Sequence, residues 1–591
     1  MSTASLAEAT PSSTTLFGQK LMLDFRYYCQ QGKSETCRTP MTQLPPELAD
    51  IIARYDIGGV ILFSENTADT AQIVKLTNDL QLAASHSPSK LPLFIAIDQE
   101  GGRVARINRA QATSFTGNMS IGATFPRKGS HYASAVATVI GKELNSLGVN
   151  VNFAPTVDVN VNPLNPVINV RSFGENPDIV ATLGAAQVNA FEQQGVLSAL
   201  KHFPGHGDTH VDSHTGLPIV HHDKATITAV DLKPFTDIIR SSPPAMIMTA
   251  HIQYPALDDS LVTNMSGQKM LRPATMSRKI MTNLLRNELN YQGITITDAL
   301  DMAGISHFFS PAKATIETFK AGVDIALMPL AIRTPKDVVA LTQLFTELEN
   351  AVKSGELNHS EQLASYQRIA TLKRKLDKTP RSVAIAETLL GAPEHRQLEA
   401  ALALDAITQV KNQGIIPLRD TAKRIHIIMP DTRKCLALQQ ALSKLSPTQR
   451  HYSCTSLQAF AEPDAIAAIK AADIVIAAHA SPLQSAVEIG GMEDVQLLQQ
   501  HKLNAQQQPL ALKALLNTAL DHKKPTIFIS LRAPYEIAQF APLSQAVLAS
   551  YAYNVDVDTD QIVSGPAFSA LAKVILGLAS ANGSLPVTIM R

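Results

Sequence analysis

The sequence predicts an α/β protein: an N-terminal TIM (β/α)8-like barrel followed by a C-terminal α/β sandwich domain. Three observations carry that expectation. Eight short runs, apolar throughout, are spaced along roughly the first 330 residues, as strands covered by helices on both faces require. Longer segments with helical periodicity separate them. From about residue 400 a second, shorter alternation begins, and 591 residues suffice for two domains of ordinary size.

In chain order, the Ser/Thr/Ala-rich residues 1–15 read as a flexible N-terminus and 16–380 as the barrel. Its strands are expected in KLMLDF (20–25), GGVILF (58–63), LFIAID (93–98), VNVNFAP (149–155), VLSALKHF (196–203), AMIMTAH (245–251), GITITD (293–298) and VDIALMP (323–329). TAQIVKLTNDLQLAA is expected as a helix between the second and third strands. HYASAVATVIGKELNSLG is another, stopping at Gly148, because glycine tolerates the left-handed backbone of a helix end. A charged helical stretch follows the eighth strand and ends in LASYQRIATLKRKLDK. Residues 381–400, entered through TPRS, are expected to be a linker to a second domain over 401–591. There RIHIIMP, ADIVIAA, PTIFISL and QAVLASYA read as strands of an open, largely parallel sheet. It contains no G-x-G-x-x-G and no phosphate-binding loop, so no nucleotide is expected, and no other cofactor is implied.

Composition excludes several classes of function. Lys+Arg and Asp+Glu are equal at 51 each, so no basic field argues for nucleic acid. There is no tryptophan and aromatics are 5 %, so a sugar would be held mainly by polar contacts rather than on an indole platform. No apolar run approaches the ~20 residues of a membrane span. The first 20 residues lack the basic and apolar regions of a signal peptide. The compartment is therefore cytoplasmic or, if a leader has been removed, periplasmic or secreted. Four cysteines define no disulfide framework. Cys29 and Cys37 flank a loop short enough to close, but read as two unrelated thiols, and Cys435 and Cys454 as ordinary core thiols.

In a barrel of this kind the active site lies at the C-terminal ends of the strands. Asp98, Asp158, Lys201–His202, His251 and Asp298 stand at or just after such ends. Barrel stability needs none of them, so five on one face point to chemistry. After the fifth strand comes LKHFPGHGDTHVDSHTGLP, with His202, His206, His210 and His214 four residues apart. On a helix that spacing would gather imidazoles for a metal, with Asp208 and Asp212 as further ligands. Pro204, Gly205 and Gly207 argue against a helix, so the segment reads as a loop over the barrel mouth. A metal site stays open as an alternative to acid–base chemistry, in which Asp212 would orient His214 across one intervening residue.

KHFPGHGDTHVDSHTGLP resembles the signature loop of the glycoside hydrolase family 3 β-N-acetylglucosaminidases. IDQEGGRVARI (97–107), NFAPTVDVN (152–160), RSFGENP (171–177) and GITITDALDM (293–302) match in order, and SLPVTI (584–589) is similar to the end of two-domain members. The resemblance implies a small carbohydrate substrate ending in β-linked GlcNAc. It implies Asp298 as nucleophile, His214 as acid/base with Asp212 as its dyad partner, and Asp98, Arg106, Arg171, Lys201 and His202 around the terminal sugar. Asp301 is expected to point away, Arg103 has no assigned role, and Asp158 is placed either under the sugar or against it. The implied chemistry is retaining: a covalent glycosyl–enzyme forms, then water breaks it with the same histidine as base. The chain has no Asp-Glu dipeptide of the substrate-assisted hexosaminidases, so the covalent route is preferred. A neutral imidazole repels an anion less than a carboxylate would, so transfer to phosphate remains an alternative, as does a metal-dependent barrel hydrolase. The second domain is expected to be structural or to shape the aglycone side, with ASPLQSAVEIGGMED (480–494) read as a solvent loop or one reaching the barrel mouth.

Overall fold

The structure, a computed structural model, describes residues 11–213, 216–481, 495–557 and 562–589, without the side chains of 495–506. His214 and nearly all of the 480–494 segment therefore lie outside the described residues.

All eight expected barrel strands form: β1 (Leu21–Asp24), β2 (Gly59–Leu62), β3 (Phe94–Ile97), β4 (Val151–Asn152), β5 (Leu197–Phe203), β6 (Met246–Thr249), β7 (Ile294–Thr297) and β8 (Ala326–Ala331). Each pairs in parallel with the next, and β8 pairs with β1. A parallel bridge between Ile296 and Ile325 closes the ring. The unbroken apolar runs follow from burial on both faces. Ile61, Phe94, Ala96, Met246, Met248 and Ile294 fill the interior, while Val60, Leu62, Ile95, Ile97 and Ile247 pack outward in the larger core that the helices complete. The two expected helices form as Thr70–Ser85 and His131–Ser146, and Gly148 has φ +83° just past the second.

Two boundaries differ from expectation. Ser13–Gly18 is already helical, capped by Ser12 and burying Leu16 and Phe17, so the chain is ordered before residue 16. The expected linker holds helices Val383–Leu389 and Pro393–Ala406. It is packed rather than loose: His395 meets Glu143 at 2.9 Å and Glu399 accepts from Phe115 N at 2.8 Å.

Among the described residues the main sheet of the second domain has six strands, β9 (Thr408–Asn412), β10 (Arg424–Met429), β11 (His451–Ser456), β12 (Ile474–His479), β13 (Thr526–Ser530) and β14 (Ala546–Ala549), in the order β9-β14-β13-β12-β10-β11. All pairs are parallel except β9 with β14. Alternate residues serve two cores: Ile427, Ile476 and Ile529 face one, while Ile428, Val475 and Phe528 face another that also takes in Met119, Ala123 and Val170 of the barrel domain. Polar contacts add to this docking. Asn160 Nδ2 donates to Tyr535 Oη at 2.8 Å, Asn554 Nδ2 to Gly102 O at 3.1 Å, and Thr588 N to Glu175 at 2.9 Å.

The cysteines depart from the sequence expectation: Cys29–Cys37 and Cys435–Cys454 are bonded pairs, with Cα–Cα distances of 5.8 and 6.3 Å. The seven residues between the first pair, which end in the short 3-10 helix Ser34–Thr36, bring it together. In the second, the edge strand β11 places Cys454 against the helix Thr432–Leu445 that carries Cys435.

Candidate active site

Every barrel strand delivers at least one residue to a single pocket at its C-terminal mouth: Asp24, Phe63, Asp98, Phe153, Lys201 with His202, Met248, Asp298 and Met328. The pocket takes in about 740 Å3 including its open mouth.

One wall is a buried ion network. Lys201 Nζ lies 2.8 Å from Asp98 and 2.7 Å from Glu100, and Arg171 grips the same Glu100 with two bonds of 2.7 and 2.9 Å. Arg106 approaches the other oxygen of Asp98 at 3.9 Å. Burial alone would raise the Glu100 carboxyl, but Arg171 and Lys201 outweigh it and hold the group well below the carboxylate range. Burial likewise opposes the charge on Lys201, and Asp98 with Glu100 overcomes it, so the ammonium is kept charged. The network thus holds its donors and acceptors in fixed positions before anything binds.

Behind this wall, Asp158 is fully buried. It takes His202 Nδ1 at 2.7 Å on one oxygen and the backbone N–H of His202 and His206 at 3.1 and 2.7 Å on the other. Burial pushes its carboxyl up, and the His202 ring with these bonds pulls it below its ordinary value. Asp158 is absent from the pocket lining, so it supports His202 from beneath.

On the facing wall, Asp298 follows β7. Its Oδ1 accepts from Ala299 N at 2.8 Å and its own N–H donates to Thr249 O at 3.1 Å. His251 lies outside the pocket lining and bonds Ala299 O at 2.9 Å, which steadies the turn carrying Asp298. Asp301, expected to point away, lines the pocket too, because the short turn after β7 folds back across the mouth. Asp24, Arg26 and Arg333 complete the rim, with the Arg26 guanidinium 3.6 Å from the Phe63 ring centre. Burial pushes the Asp24 carboxyl up in spite of Arg26.

The structure therefore gathers Asp98, Arg106, Arg171, Lys201, His202 and Asp298 around one pocket. Asp212 lies on the loop after β5, half-buried, one residue from Ser213, which lines the pocket. Sequence reasoning missed Glu100, Asp24, Arg26 and Arg333. A signal existed for Asp24, since KLMLDF carries an aspartate one residue from its end, much as the third and seventh runs end on one. Arg103, left without a role, donates to Asn554 of the second domain at 3.3 Å.

Among the described residues the loop after β5 is not helical, so the spacing does not line His202, His206 and His210 up on one helix face. His202 bonds Asp158, His206 bonds Thr209 and Ser213, and His210 contacts Asn162. Among the described residues no three His, Cys, Asp or Glu side chains are grouped to hold a metal.

Comparison with known proteins agrees with this geometry. The family description "Glycosyl hydrolase family 3 N terminal domain" matches residues 32–372. The chain is 64 % identical to the β-hexosaminidase A of Pseudoalteromonas piscicida over 99 % of this chain and 98 % of that one. It is 27 % identical to a β-N-acetylglucosaminidase/β-glucosidase of Cellulomonas fimi over 65 % of this chain and 64 % of the other. Among solved structures, a family 3 β-N-acetylglucosaminidase from Paenibacillus superposes with a TM-score of 0.76 at 27 % identity, covering 98 % of this chain and 99 % of that one. On the barrel, the charged pocket and these relatives together, the chain belongs to glycoside hydrolase family 3.

Proposed function

We propose that this protein is a retaining exo-β-N-acetylglucosaminidase that removes terminal β-linked GlcNAc through a covalent intermediate on Asp298. The observation that carries the reading is the pairing, in one pocket, of a strand-end carboxylate with an opposing preorganised ion network. The full-length likeness to a β-hexosaminidase supports the substrate class, and a single pocket at the barrel mouth suits a chain end.

In this reading Asp98, Arg106, Arg171, Lys201 and His202 bind the hydroxyls of the terminal sugar. Asp298, its turn fixed by Ala299 N and by His251, attacks the anomeric carbon as the glycosidic bond breaks. His214, oriented by Asp212, gives its proton to the departing oxygen. Water then enters, His214 removes its proton, and the bond to Asp298 breaks with overall retention. A second carboxylate is the common acid/base in such enzymes; a histidine serves here because Asp212 stabilises its cationic form.

The test is hydrolysis of an aryl β-N-acetylglucosaminide by wild type, Asp298→Ala and His214→Ala, with and without azide. Asp298→Ala is expected to be inactive. His214→Ala is expected to lose about 10²–10⁴-fold in kcat and to regain turnover, with a β-glycosyl azide as product, when azide is added. Near-normal activity in both variants would sink the assignment. Glycosyl phosphate formed in phosphate buffer would identify a phosphorylase instead.

A further inference from the structure

Of the four regularly spaced histidines, the acid–base reading uses two, and His210 sits against Asn162. His206 has no task in it, yet it is 1 % exposed and lines the pocket. Its Nδ1 lies 2.7 Å from Thr209 Oγ1 and its Nε2 lies 3.0 Å from Ser213 Oγ. One assignment of the protons satisfies all three contacts of the ring and its carbonyl. In it the single threonine proton goes to the His206 carbonyl, which can only accept and lies 3.1 Å from Thr209 Oγ1. The threonine oxygen then accepts from Nδ1–H. Nε2 is left as the lone-pair nitrogen of a neutral ring, and the Ser213 hydroxyl donates to it.

Charge agrees with that assignment. Burial first, and then the His202 ring 5.7 Å away, push His206 down to about 4, so the ring is neutral over any ordinary working range. The near end of the chain of bonds is rigid. His206 N–H donates to Asp158 at 2.7 Å, and its carbonyl also accepts from Asn165 Nδ2 at 2.8 Å. The far end, Ser213, is the residue between Asp212 and His214.

We propose that His206 is a positioning residue for the acid–base dyad: its neutral ring straps the loop at Ser213 to the buried Asp158–Asn165 base. The inference rests on the preceding assignment of Asp212 and His214. The Thr209–His206–Ser213 chain spans the turn from the fixed root of the loop to the residue flanked by the dyad. Without the strap, the dyad residues share a loop end held by fewer bonds. A displacement of about 1 Å at a reacting group costs about 10²-fold. The loss falls on steps that need the proton, and less on attack by Asp298 when the leaving group departs unaided.

The leaving group therefore separates positioning from plain structural support. The experiment measures kcat/KM, which reports formation of the glycosyl–enzyme, for a dinitrophenyl and an alkyl β-N-acetylglucosaminide. The proteins are wild type, Ser213→Ala, His206→Gln, their double variant and His214→Ala, each checked by thermal melting. Ser213→Ala removes only a hydroxyl and keeps the test valid if His206→Gln does not fold. Each single variant is expected to lose about 10–100-fold on the alkyl glycoside, at least tenfold more than on the dinitrophenyl glycoside. The double variant is expected to be no worse than the poorer single one, because both remove the same bond. Equal losses on the two glycosides, or losses that multiply in the double variant, would overturn the proposal. If His214→Ala itself shows no leaving-group dependence, the dyad assignment falls, and the strap with it.

Discussion

Glu100 is part of the ion network but does not line the pocket, yet two cations that do line it depend on it. Lys201 and Arg171 both end on its carboxylate, and all three side chains are at most 3 % exposed. Removing one partner of a buried ion pair leaves the other charge unmatched, at a cost of about 3–5 kcal/mol. Glu100→Gln is therefore expected to lower stability by about that amount in a urea melt and to cut kcat/KM at least tenfold, because Lys201 and Arg171 then repel each other. The network also sets an acid limit. Glu100 and Asp158 titrate below their ordinary values, so their contribution is present above the unfolded carboxylate value of ~4 and is lost as pH falls through the lower folded values. At this scale the sequence was legible where a charged residue ends a strand, as with Asp98, Lys201, His202 and Asp298. Glu100 was not, because its meaning lies in partners from other loops 71 and about 100 positions away, and sequence spacing does not record who meets whom in three dimensions.

The elements divide by burial. Barrel strands and the four inner strands of the second sheet are apolar on both faces, and each was readable as a run. β9 and β11, TQVKN and HYSCTS, lie at the edges with most side chains exposed or half-buried, and their polar sequences carry no such signal. The two helices at 383–406 were hidden for a related reason: a proline-containing stretch rich in charge reads as a tether until its partners Glu143 and Phe115 are known. The loop after β5 makes the converse point. Gly207 argued against a helix, but the structure gives it a further duty. A Cβ there would stand 1.7 Å from the Val159 carbonyl oxygen and 2.6 Å from its carbon, both backbone atoms. Gly207→Ala is thus expected to push the β5 loop off the β4 loop, destabilising the protein by about 1–3 kcal/mol or more. Activity on an alkyl glycoside is expected to fall further than stability does. A variant with wild-type melting temperature and kcat/KM would show that the two loops part without consequence.

Across the whole molecule, charge is buried at the foot of the barrel as well as at its mouth. Lys20 and Lys373 are at most 1 % exposed. Lys20 donates to Ser365 at 2.7 Å, and Lys373 to Gln19 at 2.7 Å and to the Gly58 carbonyl. Burial lowers both ammonium groups to about 7. The unfolded chain keeps these protons up to ~10.4, so between about pH 7 and 10 it binds more protons than the folded one. Stability from these two groups therefore rises with pH across that window. The expected result is a urea midpoint that increases from pH 7 to 9, with a shallower rise in Lys373→Met; a midpoint that falls equally in both proteins would contradict it. The division into two domains was legible as a change of pattern near residue 400. How they dock was not, since the seam joins a few apolar residues such as Met119 and Val170 to scattered polar ones such as Asn160, Tyr535 and Asn554.

The bond from Asn554 to the Gly102 carbonyl joins residues 452 positions apart. It closes on the turn immediately after Glu100. Chains are made at about 5–20 residues per second, so during synthesis that turn emerges roughly 20–90 s before the asparagine that clasps it. A ribosome-bound chain can carry all eight barrel strands while the turn after Glu100 has its bonds to Ser114 and Arg109 but still lacks this one from the second domain. That contact is accordingly made only once Asn554 has been synthesised, long after the barrel strands themselves.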